Sequence, residues 1–174
     1  MDENIKKEVI SWVKLILSAF VIAFILKTYV FQIALVNQVS MEPTLYEGEI
    51  LVIAKVNYLI SDPARGDIVV LKDELEDKYL IKRAIGLPNE VIDIRNDRVY
   101  IDGKELNPDY TDAPTRDNGF AKSRVPEKKY FVMGDNRMQS RDSRSDTVGF
   151  VSRDNIVGKA VFRIWPFNKF GIVR

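Results

Sequence analysis

The chain has 174 residues, and its 26 basic and 25 acidic side chains nearly balance. It contains no cysteine and no histidine, which excludes disulfides, thiolate nucleophiles, cysteine zinc sites and a Ser-His-Asp triad. The lack of a basic excess argues against a nucleic-acid-binding protein, because such proteins need positive charge to displace phosphate counterions. Because histidine and cysteine are absent, any general base must be a carboxylate, a lysine, a tyrosine or an amino terminus.

An apolar stretch covers most of residues 9–36. Residues 9–26 as a helix would be about 27 Å long, close to the roughly 30 Å of a bilayer core. We therefore predict a short tail at 1–8 and a membrane anchor at 9–30. One alternative is a cleavable signal peptide, although no small-x-small cleavage site follows. Another is a buried amphipathic helix, although apolar residues surround the whole circumference.

Beyond the anchor, short segments rich in Val and Ile and bounded by Gly, Pro or Asp are typical of β-strands. Segments at 91–94 and 99–101 flank an Asn-Asp pair, and an Asp-Gly pair follows, which predicts a three-stranded antiparallel meander. Residues 104–128 are predicted to be a loop-rich excursion. The fold class is therefore mostly β, with antiparallel or barrel-like sheets at 31–174 behind one N-terminal transmembrane helix. Further strands are predicted at 50–54, 67–71, 79–85, 130–133 and 156–164.

The first candidate for catalysis is Ser40, which opens the segment Ser-Met-Glu-Pro-Thr-Leu at 40–45. Pro43 favours an extended Glu42 and prevents a helix there, so Ser40 is expected on irregular or strand-like backbone. Without a base, such a serine is an ordinary capping or surface residue. Because histidine is absent, a lysine is the natural base, provided that burial lowers its pKa.

Three lysines lie among apolar neighbours and are candidates for that base: Lys55, Lys82 and Lys159. Lys82 lies in a predicted strand whose alternation places Leu80 and Ala84 on the same face. For each of the three, the alternative is an edge-strand lysine whose amine reaches water. The residues alone leave this choice open.

A turn-rich, charged segment at 134–144 follows a predicted strand. It can supply hydrogen bonds, a salt bridge such as Asp142 with Arg144, and hydroxyls that orient a neutral amine. The alternative is a solvated hairpin loop. A divalent metal at Asp135, Asn136 and Asp142 is conceivable, but the interspersed arginines oppose it.

Taken together, four segments closely resemble the sequence blocks of bacterial type I signal peptidases, in the order of that family. They are SMEPTL at 40–45, RGDIVV at 65–70, YLIKRAIGLP at 79–88 and GDNRMQSRDSR at 134–144, with a matching GKAVFR strand at 158–163. One anchor and a short excursion resemble the compact Gram-positive type. The resemblance implies a membrane-anchored, mostly β serine endopeptidase that uses a Ser-Lys dyad and removes signal peptides from exported preproteins after small residues.

The resemblance also implies residue roles. Ser40 would be the nucleophile and Lys82 the general base, while Arg83 would be structural. Three residues of the last block would support this pair: Ser140, which would fix the amine, and Asp142 and Arg144, which would hold the site together. The backbone N–H of Ser40 would form half of the oxyanion hole. The second donor would be the side-chain amide of Gln38, which stands where family members carry serine or glycine.

The implied partners are secreted preproteins and the lipid of the cytoplasmic membrane, with no nucleic acid, cofactor or metal. The N-terminus would be cytoplasmic and the β domain extracytoplasmic, in a single-pass topology that the weak charge asymmetry does not decide. Pocket walls are expected near 36–41 and 79–84. Two rivals are a catalytically silent relative that binds exported proteins, which intact Ser40 and Lys82 oppose, and a self-cleaving regulator, which would carry a DNA-binding domain instead of an anchor.

Overall fold

Most of the chain folds into antiparallel β-sheets in the computed structural model, which describes residues 3–73, 75–111 and 113–173. This confirms the predicted mostly β class, and the larger sheet is an open path of strands. The strands are β1 Phe31–Leu35, β2 Ile50–Ala54, β3 Ile68–Asp73, β4 Lys78–Gly86, β5 Val91–Arg95, β6 Arg98–Ile101, β7 Lys104–Glu105, β8 Ser123–Arg124, β9 Lys129–Met133, β10 Val151–Ser152, β11 Ile156–Trp165 and β12 Gly171–Ile172.

The N-terminal apolar stretch forms helix α1, Glu3–Ile25, which continues into a π-helical segment, Leu26–Val30. Together they give one described span that is long and apolar enough to cross a membrane, and this span is not buried against the rest of the protein. The helix begins within the predicted tail at 1–8. A second helix, α2, is a single turn at Asn57–Ile60.

The larger sheet has eight strands in the order β1-β2-β11-β3-β4-β9-β10, with β12 paired to β11. The described strand pairs are antiparallel. In the centre, Val69 of β3 lies opposite Lys82 of β4. Val- and Ile-rich segments suit these positions because branched side chains pack well on a pleated surface. Lys82 is therefore buried on strand β4, which lies between β3 and β9 in the sheet.

The smaller sheet has the order β7-β6-β5-β8 and confirms the predicted meander. Asn96 and Asp97 both have positive φ at the β5–β6 turn, and Asp102 and Gly103 do so at the next turn. Such residues tolerate this conformation, which tight hairpins require. In the described part of 104–128, the regular elements are the two-residue strands β7 and β8.

Three apolar clusters form the core. The first packs β2 against the chain around Ser40, the second lies along β3, β4 and β9, and the third joins the two sheets. Phe131 of β9 belongs to the third cluster and contacts Phe120, with ring centroids 4.8 Å apart. The chain between the two short strands of the smaller sheet is therefore packed onto the larger sheet through this aromatic contact.

Candidate active site

Ser40 lies in a 3₁₀ turn, Val39–Met41, shortly after edge strand β1. Glu42 is extended, with φ −66° and ψ 143°, as the proline after it predicts. The turn replaces the irregular or strand-like backbone expected at Ser40, because the Glu42 N–H still donates to the carbonyl oxygen of Val39 at 3.1 Å. Ser40 is buried in this turn.

Lys82 lies in the interior of β4 and is 1% exposed. Its Nζ atom is 2.7 Å from the Oγ atom of Ser40. It also donates to the carbonyl oxygen of Ile81 at 3.1 Å. The fold therefore brings together a hydroxyl and an amine that lie 42 residues apart in sequence.

Burial lowers the pKa of Lys82 from 10.5 to about 8, because desolvation disfavours the charged amine. Neighbouring charges act in both directions: Asp142 and Asp135 favour the ammonium form, and Arg141 opposes it. Burial outweighs them. The amine is therefore substantially neutral at mildly alkaline pH, which a general base requires.

The structure distinguishes Lys82 from the two other candidate lysines. Nζ of Lys159 forms an ion pair with Asp67 at 2.5 Å. Nζ of Lys55 donates to the backbone oxygen of Thr28 at 3.3 Å. Of the three amines, that of Lys82 is the one at the hydroxyl of Ser40.

Gly134, at the end of β9, permits a close approach between three parts of the site. A Cβ atom on Gly134 would lie 2.3 Å from the Oγ atom of Ser140 and 2.3 Å from the carbonyl oxygen of Ser40. The Oγ atom of Ser140 is shielded from solvent and has no hydrogen-bond partner among the described residues. The expected contact between Ser140 and the amine of Lys82 is not formed here, and that role stays a prediction.

Asp142 and Arg144 form a buried, two-pronged ion pair. Nε of Arg144 donates to Oδ1 of Asp142 at 2.8 Å, and the Nη2 atom donates to Oδ2 at 2.9 Å. The same carboxylate accepts the backbone N–H of Gly134 at 3.1 Å, and Nη2 of Arg144 also donates to the carbonyl oxygen of Arg137. These bonds link both ends of the 134–144 loop.

A second buried ion pair joins Arg83 to Asp135. The guanidinium donates to both carboxylate oxygens, at 2.9 and 2.6 Å, and its third nitrogen donates to the carbonyl oxygen of Gly66 at 2.8 Å. Thr44, four residues after the nucleophile candidate, donates to Asp135 at 2.6 Å. This network ties the loop after Ser40 to β4. Sequence reasoning placed Arg83 as structural but missed the roles of Thr44 and Asp135.

The sequence matches a protein-family model described as signal peptidase, peptidase S26, over residues 9–165. The chain belongs to the peptidase S26 family of signal peptidases. The resemblance carried by the four sequence blocks is thereby confirmed.

This family member is similar to several known signal peptidases. Signal peptidase I of Bacillus licheniformis is 35% identical over 175 residues, which cover 95% of this chain and 94% of the relative. Signal peptidase IB of Staphylococcus aureus strain COL is 35% identical over 182 residues, covering 95% and 94%. A crystal structure of a signal peptidase I from Enterococcus faecalis V583 is 32% identical, with a TM-score of 0.48, covering 57% of this chain and 97% of that one. The sequence relatives identify a signal peptidase enzyme.

A groove of about 590 Å³ in this signal peptidase borders Ser40, between β1 and the first half of β4. Gln38 is exposed, directly precedes the 3₁₀ turn, and lines the groove. A second recess, of about 340 Å³, shares Gln38 and Ser40 and extends to Arg141 on the other side. The apolar side chains of the larger groove include Ile33, Leu35, Val36, Met41, Val70 and Ile81.

Both carboxylates of the conceivable metal site are engaged by arginines. Asp135 pairs with Arg83, and Asp142 pairs with Arg144. Within the described residues, no group of three or more His, Cys, Asp or Glu side chains is arranged to hold a metal ion. The metal alternative at Asp135, Asn136 and Asp142 therefore loses both of its carboxylates to ion pairs.

Proposed function

We propose that this chain is a membrane-anchored serine endopeptidase that removes N-terminal signal peptides from exported preproteins after small residues. Ser40 is the nucleophile and Lys82 the general base. The observation that carries the proposal is the 2.7 Å separation between a buried amine and a serine hydroxyl beside an open groove. A hydroxyl needs such a base because it is a weak nucleophile while protonated.

The reaction follows from this pair. Neutral Lys82 accepts the proton of the Ser40 hydroxyl while Oγ forms a bond to the scissile carbonyl carbon. The tetrahedral intermediate collapses as Lys82 returns the proton to the leaving amine, and an acyl-enzyme remains. Lys82 then takes a proton from water, whose oxygen attacks the ester, and this proton returns to Oγ of Ser40 as the new carboxylic acid is released. The second proton of the water leaves to solvent when that acid ionises.

The negative oxygen of the intermediate requires hydrogen-bond donors. We assign the first to the backbone N–H of Ser40 and the second to the side-chain amide of Gln38, which is exposed at the rim of the groove. Ser140 is assigned to orient the amine of Lys82, and its Oγ atom is available for that contact because it has no hydrogen-bond partner in the described part of the chain. Asp142 and Arg144 support the loop that carries Ser140.

The groove fits an extended peptide. Strand β1 is at the edge of the larger sheet, and an added strand can pair with such an edge. Lining residues of the larger groove include Val36, Asn37, Gln38, Ser40, Met41, Tyr79 and Ile81, which supports a peptide site with walls near 36–41 and 79–84. Val36 and Met41 line the groove together with Ser40, which supports an apolar residue before the cleaved bond.

Exposed apolar side chains support a membrane location. They lie on β1 and on the chain around β11 and β12, which are joined in the larger sheet through β2. The exposed set is Phe31, Ile33, Leu35, Trp165, Phe167, Phe170 and Ile172. We assign residues 9–30 to a single-pass anchor with a cytoplasmic N-terminus, and residues 31–174 to an extracytoplasmic catalytic domain. This domain touches the lipid of the cytoplasmic membrane through the members of the set that do not line the groove: Phe31, Trp165, Phe167, Phe170 and Ile172.

The test is cleavage of a preprotein by the purified full-length protein in detergent. The wild type should release the signal peptide, with the cut after a small residue by mass spectrometry, and Ser40→Ala and Lys82→Met should lose at least about 1,000-fold in rate. Lys55→Met is the matched control, because among the described residues its amine donates to the backbone oxygen of Thr28 and not to Ser40. The assignment is wrong if the wild type does not cut, or if either dyad variant cuts as fast as the wild type.

A further inference from the structure

Asn136 contacts the carbonyl groups of Val39 and Ser40, which lie on either side of the α-carbon of Ser40. The 3₁₀ turn at Val39–Met41 is called the nucleophile turn below, because it carries the proposed nucleophile. Its backbone N–H donates to the carbonyl oxygen of Ser40 at 3.1 Å. Its side-chain Nδ2 atom donates to the carbonyl oxygen of Val39 at 3.2 Å, across 97 residues of sequence. A single residue from the 134–144 loop thus holds two consecutive peptide groups of the turn.

The contact with Val39 controls the direction of a catalytic donor. The carbonyl of Val39 and the N–H of Ser40 belong to one planar peptide unit, and in a trans unit they point in opposite directions. A hydrogen bond that fixes the carbonyl on one side therefore fixes the N–H on the other. That N–H is the first donor assigned to the oxyanion hole.

The other bonds of the turn do not replace this contact. The Glu42 N–H donates to the same Val39 oxygen, but it belongs to the turn itself and moves with it. Thr44 ties the chain to Asp135, four residues beyond Ser40. Among the described contacts, the Asn136 side chain is the one that anchors the Val39–Ser40 peptide unit to another part of the fold.

We infer that Asn136 is a positioning residue of the oxyanion hole, whose side-chain amide orients the backbone N–H of Ser40 toward the developing negative charge. This inference rests on the proposed function. Asn136 acts through the peptide plane and does not touch the substrate. Its side chain should therefore affect the stability of the transition state and leave ground-state binding of the peptide unchanged.

The experiment compares Asn136→Ala and Asn136→Asp with the full-length wild type in detergent, using a peptide that carries a signal-peptide cleavage site. Both variants remove the Nδ2 donor, and Asn136→Asp keeps the shape of the side chain. We expect kcat to fall about 10- to 100-fold with little change in KM, because removal of a whole oxyanion donor costs about 100- to 1,000-fold. Affinity for a peptide aldehyde that adds to Ser40 should fall in parallel, whereas affinity for an uncleavable peptide should not.

Two controls separate positioning from other effects. Asn118→Asp introduces the same charge at an exposed turn outside the site and should keep the wild-type kcat. The pH profile of Asn136→Ala should show a lower plateau with an unchanged acidic midpoint, since the base itself is not altered. The new carboxylate of Asn136→Asp should instead raise the midpoint, because a nearby negative charge favours the charged amine of Lys82. Urea unfolding midpoints should stay close to that of the wild type, because the side chain of Asn136 belongs to none of the apolar clusters.

The outcomes are distinct. If Asn136→Ala keeps kcat within twofold of the wild type, or if the loss vanishes at high pH, the inference is overturned. It is overturned as well if aldehyde and uncleavable peptide lose affinity equally, or if unfolding accounts for the loss of rate. Failure of the proposed function is seen separately, because the wild type itself would then not cut, or Ser40→Ala would cut as well as the wild type.

Discussion

An ideal Cβ atom on Gly134 would lie 2.3 Å from the carbonyl oxygen of Ser40. The end of β9 and the nucleophile turn therefore touch through backbone atoms, with no space for a side chain between them. A methyl group at this position must push one of the two segments away. The distance between Ser40 and the loop that supports it is thus set by the absence of a side chain.

Gly134→Ala should lower kcat/KM at least about 10-fold, because a displacement near 1 Å at reacting groups is costly even in a folded enzyme. Preprotein cleavage by the full-length protein measures this. Gly158→Ala is the matched control: its Cβ would meet the backbone oxygen of Ala54 at 2.9 Å, in β2 and away from the dyad. It should lower the urea midpoint but leave the rate per folded molecule unchanged. Equal activity losses in both variants would contradict the prediction.

Activity should rise with pH through about 8. The folded-state pKa of Lys82 is lowered to about 8 by burial, so the amine is charged below that pH and neutral above it. Under the proposed function, only the neutral amine can accept the proton of Ser40. The acidic midpoint of kcat/KM against pH, measured on a peptide substrate without titrating groups, should lie near this value. A midpoint near 4 to 5 would indicate a carboxylate base instead.

Lys82→Met should abolish cleavage and increase stability at neutral pH. The pKa of Lys82 is about 8 when folded and about 10.5 when unfolded, so the unfolded state binds more protons between these values and wild-type stability rises with pH in that window. Below pH 8 the burial of the charged Lys82 amine lowers the free energy of unfolding of the wild type by the full amount, about 3 kcal/mol. Urea unfolding followed by tryptophan fluorescence should show a higher midpoint for Lys82→Met than for the wild type at pH 7. This difference should disappear by about pH 11. A variant less stable than wild type at pH 7 would contradict this.

The ion pair of Arg83 and Asp135 should show strong coupling. Both side chains are almost fully buried, so removal of one partner leaves an uncompensated charge and should lower the free energy of unfolding by about 3 to 5 kcal/mol. The double variant Arg83→Met, Asp135→Leu removes both charges. Its loss of stability in urea should be smaller than the sum of the two single losses. Additive losses would show that the two charges do not depend on each other.

The alternation of apolar and polar residues predicted most of the longer strands. It could not predict the site, because the site depends on contacts between residues that are far apart in sequence. Alternation along β4 placed Leu80, Lys82 and Ala84 on one face, and all three are buried. Arg83 is buried as well, because β4 packs on both faces, so alternation alone could not select Lys82. The contact with Ser40 spans 42 residues and depends on how the sheet folds.

The boundary between anchor and sheet was hard to place because both are apolar. Residues 9–36 form one hydrophobic run, yet it contains most of helix α1, a π-helical segment and strand β1. The period-two pattern of Phe31, Ile33 and Leu35 was the available signal. For Gly134, the signal was a glycine directly after a buried strand, which indicates a close backbone approach. Its partner could not be read from sequence, since it lies 94 residues away.

The π-helical segment ends at Val30, and β1 begins at Phe31 without an intervening linker. The edge of the catalytic groove therefore continues directly from the proposed span, and five strand residues add only about 17 Å along the chain. A tether of free residues would let the nucleophile sample many heights above the lipid. Here the direct connection fixes the distance between the bilayer and Ser40. Under the proposed function, a preprotein is therefore cut only when its cleavage site lies at that distance from the bilayer.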